Sequence, residues 1–345
     1  MRIIADVMGS DKGARELVKG ACQAVREYKD IELVLVGDEK EISKAVTEFG
    51  GDSDIIEIVP TTDVIEMCDD PLSVNRSKSA SSMSTGLRML AAGEGDAFVS
   101  AGNTGALFAG ASLIVRKIKG VNRPAIAAVL PMTPPVLLLD SGANINVTPA
   151  YLVQFAVMGS EYMKKMYKIE SPRVGLLNNG EEETKGTELR LETYKALREC
   201  EKINFIGNVE GNRVPKDACD VLVTDGFTGN ILLKSIEGMG KLMGGLLKGL
   251  FSTNLRTKVA YLLVKDQLDG IKKSFDSSEH GGAPIIGVSK PVIKAHGSSN
   301  AKAFKNAIRQ ASEYAKSGMI EEMTSKAGEL FAKKKAEAQA DKAEA

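Results

Sequence analysis

Twice in this chain a short apolar run ends in a cluster of glycine, threonine and asparagine, then leads straight into a helical pattern. At residues 220–230, Val221, Leu222 and Val223 run into Asp225-Gly226-Phe227-Thr228-Gly229-Asn230, and a helical pattern follows from Ile231. At residues 97–106, Ala97-Phe98-Val99-Ser100 leads to Ala101-Gly102-Asn103-Thr104-Gly105-Ala106, and the helical pattern follows from Leu107. In α/β sheets such strand–turn–helix junctions direct backbone N–H groups at an anion. A tight turn that needs glycine only for positive φ looks the same. Two turns with matched Asn-Thr-Gly and Thr-Gly-Asn chemistry favour a ligand whose negative oxygens are held by amides.

The rest of the chain repeats the alternation. Strands are expected at 2–6, 31–36, 55–59, 96–100, 125–131, 136–140, 173–178 and 204–207, and helices at 14–28, 39–49, 79–92, 148–167 and 187–198. Leu17, Ala21, Ala24 and Val25 share one face of the first helix. Thr148-Pro149 supplies an N-cap and N1 pair. The order implies an α/β, Rossmann-like, largely parallel sheet covered by helices on both faces. Ligands of such sheets sit at the carboxyl ends of strands. That places both glycine turns and the loop 178–188 on one expected sheet edge. No linker interrupts 1–331, so one continuous α/β domain is expected there, with an Ala/Lys/Glu tail at 332–345 expected to be disordered.

Residues 238–275 depart from this grammar. Met239, Leu242, Met243, Leu246, Leu247, Leu250 and Phe251 form an apolar stripe, broken at Ser252-Thr253-Asn254 and resumed from Lys258. The pattern predicts a protruding helical hairpin whose tip carries Leu250, Phe251 and Leu255 beside Lys248, Arg256 and Lys258. Such a tip suits either dimer packing or a membrane surface.

Other classes are disfavoured. Lysines and arginines balance the acids at 45 each, so no basic footprint for nucleic acid exists. Cys22, Cys68, Cys200 and Cys219 are scattered, without the spacing of a zinc site or a disulfide framework. The opening residues read as a strand, not as a signal peptide. No 18-residue apolar stretch occurs.

Two further loops carry candidate chemistry. In 178–188, Asn178 ends a strand and Lys185 is the one cation among Glu181, Glu182, Glu183 and Glu188. In Lys294-Ala295-His296-Gly297-Ser298-Ser299-Asn300, a histidine precedes a helix rich in small polar residues at its start. A solvated acidic loop and a structural histidine are the plainer alternatives.

Together these segments resemble the acyl-ACP:phosphate acyltransferase (PlsX) family of bacterial phospholipid synthesis. The resemblance is carried by SAGNTGAL, RPAIAAVLP, LVQFAVMGS, PRVGLLNNGEEETKGTE, NFIGNVEG, DVLVTDGFTGN, GGAPIIGV and KAHGSSNAKAFKNAIRQA, in order from about residue 98 to 311. The chain departs from the family at Ser10 and Asn179, where glycine and isoleucine are usual. The resemblance implies attack of inorganic phosphate on the thioester of fatty acyl-acyl carrier protein, giving acyl phosphate and free carrier protein. It also implies a homodimer without a redox cofactor, loosely held at the cytoplasmic face of the membrane. The acyl phosphate would pass to a membrane glycerol-3-phosphate acyltransferase. On that reading Lys185, His296 and Asp225 are candidate catalytic groups. Gly102, Asn103, Thr104, Gly105, Asn178, Gly226, Thr228, Gly229, Asn230, Ser298 and Ser299 are candidate substrate contacts. Ser100, Ser298 and Ser299 leave a covalent route open. Rival readings are a metal- and NAD-dependent dehydrogenase of the isopropylmalate type and a non-catalytic membrane scaffold.

Overall fold

Neighbouring residues of the central strands bury opposite faces of one sheet, as a two-residue period requires. Ile3, Ala5, Leu33 and Leu35 pack with Leu17, Val18, Phe304 and Ile308 on one face. Ile4, Val34 and Phe98 pack with Met83, Leu87 and Leu107 on the other. The computed structural model describes residues 1–52, 54–275 and 281–325. The tail expected at 332–345 lies outside them.

The strands are β1 (Arg2–Asp6), β2 (Glu32–Gly37), β3 (Ile56–Pro60), β4 (Ala97–Ser100), β5 (Ala125–Leu130) and β6 (Val136–Leu139), then β7 (Arg173–Asn178), β8 (Asn204–Glu210), β9 (Val221–Val223), β10 (Ala283–Ile286) and β11 (Val292–Lys294). They form one sheet in the order β3-β2-β1-β4-β11-β10-β5-β6-β9-β7-β8. Helices α1 (Gly13–Glu27), α2 (Glu39–Glu48), α3 (Ser82–Ala92), α4 (Thr104–Gly110), α5 (Pro149–Tyr167) and α6 (Glu188–Arg198) connect and cover it. The helices α7 (Gly226–Ser252), α8 (Leu255–Phe275) and α9 (Ala301–Lys316) follow. The largely parallel α/β architecture is therefore as the sequence implies. Pro149 stands at the first turn of α5, but Thr148 makes no side-chain cap bond.

One expectation is overturned. The block β3-β2-β1-β4-β11 is parallel throughout, and so is β6-β9-β7-β8. Between them β10 runs antiparallel to both β11 and β5, and β5 runs antiparallel to β6. The two blocks consequently point in opposite directions, and their carboxyl ends lie at opposite edges. The turn after β4 and the loop after β11 share one edge. The turn after β9 and the Lys185 loop after β7 share the other.

Both glycine turns are shorter than expected, because helix begins inside them. Thr104 opens α4 and Gly226 opens α7. At 27 residues, α7 is about 40 Å long. It leaves the β9 turn, runs past the His296 loop and ends at the hairpin tip. Leu250 and Leu255 are 58% and 79% exposed there. Phe251 is half-buried instead, its ring 5.6 Å from that of Tyr261. Among the described residues no helix is long and apolar enough to cross a membrane.

Candidate active site

The first constellation is built on the last rung of three adjacent strands. Asp6, Ser100 and Lys294 stand in register at the ends of β1, β4 and β11. Strand order reverses between β1 and β4, and open α/β sheets hold ligands outside such a switch point. Ser100 Oγ donates to Asp6 Oδ2 at 2.7 Å and accepts from Gly102 N at 3.0 Å. Ser100 is fully buried, which leaves its hydroxyl committed to the fold. Burial holds the Asp6 carboxyl above the usual carboxylate range, despite hydrogen bonds from Ser100, Ser82 and the Met8 amide. Burial also pushes the Lys294 ammonium down to about 8, against the attraction of Asp11 and Asp6. Lys294 Nζ donates to Ala295 O.

In the turn above this rung, Asn103 works for the fold. Its Oδ1 accepts from Ala106 N at 3.0 Å, and its Nδ2 donates to the carbonyls of Glu66, Met67 and Asp69. The amides of Thr104 and Gly105 have no acceptor among the described residues, and the Thr104 side chain is exposed. A Cβ on Gly105 would lie 2.8 Å from Pro71 Cγ, so glycine is required there by close approach.

The β11 loop brings His296 to the same edge. The Ser298 amide donates to His296 Nδ1 at 3.1 Å, and Ser298 Oγ lies 2.9 Å from the same nitrogen. With Nδ1 accepting, the ring proton is assigned to Nε2. Protein packed against the ring lowers its pKa below the usual histidine value, and Lys234 of α7 lowers it further. His296 is thus a neutral imidazole presenting an Nε2–H donor. Ser299 is 3% exposed, and its Oγ has no hydrogen-bond partner. Its amide donates to His296 O at 2.9 Å.

The second constellation lies at the β9 edge. Asp225 caps α7, with Oδ1 accepting from Thr228 N and Oδ2 from Thr228 Oγ1, both at 2.8 Å. Arg190 of α6 donates to Asp225 Oδ2 at 2.5 Å, to Thr224 Oγ1 and to Leu177 O. Burial pushes the Asp225 carboxyl up, but Thr228 and Arg190 outweigh it and hold the carboxyl below its ordinary value. The first turn of α7 seats on the loop 140–144. Gly226 N donates to Asn144 O at 2.7 Å. The Asp140 carboxylate gathers the amides of Ile126, Gly142, Ala143 and Asn144. The amides of Gly226, Thr228 and Gly229 are therefore already bound within the chain. Asn230 is exposed.

Asn178 and Lys185 belong to this second group. Asn178 Nδ2 donates to Lys185 O at 3.1 Å, and Asn178 Oδ1 accepts from Asn179 N. Lys185 is exposed, with no ion-pair partner among the described residues. The sequence candidates thus divide between two places. Gly102, Asn103, Thr104, Gly105, His296, Ser298 and Ser299 gather at one edge. Asn178, Lys185, Asp225, Gly226, Thr228, Gly229 and Asn230 gather at the other. Eight residues of α7, about 12 Å of helix, separate Gly226 from Lys234, whose charge acts on His296. Sequence reasoning missed Asp6, Arg190, Asp140 and Lys294. Asp6 and Lys294 left a signal, each as a charged residue ending an apolar strand run, Ile3-Ile4-Ala5 and Val292-Ile293.

The architecture is an α/β fold, a largely parallel sheet flanked by helices. A phosphotransacetylase from Streptococcus pyogenes matches with a TM-score of 0.61 at 17% identity, covering 91% of this chain and 94% of that one; this likeness is one of fold alone. At the level of sequence the relation is specific. The chain belongs to the phosphate acyltransferase family: the model described as fatty acid synthesis protein matches residues 1–322. The phosphate acyltransferase of Thermoanaerobacter pseudethanolicus is 45% identical, over 96% of this chain and 99% of that protein. That of Caldanaerobacter subterraneus subsp. tengcongensis is 46% identical, over 90% and 92%. Membership favours an acyltransferase over the dehydrogenase and the scaffold.

Proposed function

We propose that the protein transfers a fatty acyl group from the thioester of acyl carrier protein to inorganic phosphate. A phosphate oxygen attacks the thioester carbonyl carbon, the carbonyl oxygen becomes an oxyanion, and the C–S bond then breaks. The products are acyl phosphate and the carrier's thiolate, which takes its proton from water. The observation that carries this reading is the neutral His296, with Nδ1 occupied by Ser298 and an Nε2–H donor beside the β4 turn. A neutral imidazole is a poor proton donor to a leaving thiolate but a good hydrogen-bond donor to an oxyanion, a role worth about 2.7–4 kcal/mol in comparable sites. The amides of Thr104 and Gly105 are suited to oxygens of the phosphate. Orientation is the main demand, since phosphate needs no deprotonation near neutrality. Asp225 serves from the β9 edge by fixing the start of α7, the helix that carries Lys234 to His296, and Lys185 remains at that edge as a candidate anion contact.

The exposed tip residues Leu250 and Leu255, near Lys248, Arg256 and Lys258, support peripheral contact with the inner face of the cell membrane. A homodimer would present two such tips and gain by avidity. That position would deliver acyl phosphate to a membrane glycerol-3-phosphate acyltransferase.

The test is incubation with acyl-acyl carrier protein, with and without phosphate, followed by 31P NMR. Acyl phosphate should form only with both substrates present. Thioester loss without a new phosphorus signal would refute the reading.

A further inference from the structure

We propose that Lys294 is a phosphate-binding residue of this reaction, its ammonium and the Ser299 hydroxyl together forming a polar floor beneath the β4 turn. The inference rests on the reading of phosphate as acyl acceptor. Lys294 ends β11 in register with Ser100 of β4, which is in turn in register with Asp6 of β1. It therefore sits at the switch-point edge, on the strand next to the one that leads into the open amides of Thr104 and Gly105.

Its surroundings do not account for its charge. Lys294 is 8% exposed. Of its three protons, one meets Ala295 O, and two have no acceptor among the described residues. Among the described residues no carboxylate lies within 4 Å of its nitrogen. Asp6 is turned to Ser100, Ser82 and the Met8 amide. Asp11 of the β1–α1 loop and Lys234 of α7 act on Lys294 only through space. An ammonium buried without a direct counter-ion is costly. Five residues on, Ser299 is 3% exposed and its Oγ has no partner. Two buried polar groups on one loop thus have unused hydrogen-bonding capacity. An oxyanion would take the spare ammonium protons and the serine proton together. The exposed Lys185, in the opposite strand block, is not part of this floor.

Lys294→Met keeps the stem and removes the charge, and Ser299→Ala removes one hydroxyl. Phosphate KM is measured at saturating acyl-acyl carrier protein, thioester KM at saturating phosphate, and melting temperature alongside. Lys294→Met should raise phosphate KM about tenfold or more, the scale of one lost charge-assisted hydrogen bond. Its thioester KM should stay near the parent's, and Lys294→Arg should recover part of the phosphate KM. A parental phosphate KM in a folded Lys294→Met, with only the melting temperature lowered, would overturn the proposal and make Lys294 a buried partner of Asp6. Should Lys294→Met not fold, Ser299→Ala decides. A phosphate KM raised severalfold supports the floor, and an unchanged one overturns it. Failure of the underlying reaction is distinct, because there the parent itself makes no acyl phosphate.

Discussion

Replacing Gly229 with alanine tests whether the β9 turn is set by close backbone approach. A Cβ built there lies 1.9 Å from the carbonyl oxygen of Asp140 and 3.0 Å from Thr224 Cγ2. Ordinary contact begins at 3.4 Å, so the first turn of α7 must shift by about 1.5 Å, from 1.9 to 3.4 Å. The loop cannot yield instead, since the Asp140 carboxylate is held by the amides of Ile126, Gly142, Ala143 and Asn144. Overpacking of this kind costs about 1–3 kcal/mol. A misplacement on the order of 1 Å, passed along α7 to the His296 loop, lowers turnover about 100-fold even when the mutation is far from the chemistry. Gly238→Ala is the control, because nothing lies within 4 Å of a Cβ at that position of the same helix. It should keep parental activity and strengthen the helix by about 0.5–1 kcal/mol. The assay is acyl phosphate formation, with thermal melts of both variants. Parental turnover and melting temperature in Gly229→Ala would show that the turn tolerates a Cβ and is not set by close approach to Asp140.

Three more outcomes are expected. Arg190→Ala should destabilise the fold by about 3 kcal/mol, since it strips the buried Asp225 carboxylate of its cation, and urea denaturation would measure the loss. The depressed pKa of His296 keeps the neutral donor form as pH falls below 6.5. The imidazole titration followed by NMR in the free protein should therefore have its midpoint below the ordinary histidine value, and a midpoint at or above 6.5 would contradict the assigned state. Leu250→Glu with Phe251→Glu should release the protein from anionic vesicles while sparing acyl transfer in solution, with vesicle sedimentation as the measurement; dissociation to monomers instead would return the hairpin to dimer packing.

The alternation of strands and helices was legible because it rests on local signals. Val221, Leu222 and Val223 read as a strand, and Leu17, Ala21, Ala24 and Val25 as a helix face, from neighbours alone. The reversal of the second strand block was not legible. It depends on β10, from the far end of the chain, inserting between β11 and β5, and no local pattern encodes that pairing. The candidate loops were therefore found individually and wrongly placed on one edge. Helix starts were read late because glycine and asparagine within a first turn look like loop. The mechanical roles of Asn103 and Asp225 were also hidden, since an N-capping side chain and a ligand-binding one have the same residue type. Arg190 lies 35 residues before Asp225, so their ion pair left no spacing signal.

Direct attack by phosphate is the central claim, and Ser298 beside His296 Nδ1 offers the alternative of an acyl-enzyme. The decisive measurement is thiol release when the enzyme meets acyl-acyl carrier protein without phosphate, followed by the intact mass of the protein. Direct attack gives no burst of thiol, no added acyl mass, and one thiol per acyl phosphate once phosphate is supplied. A burst stoichiometric with enzyme, with the acyl group found on Ser298, would contradict it.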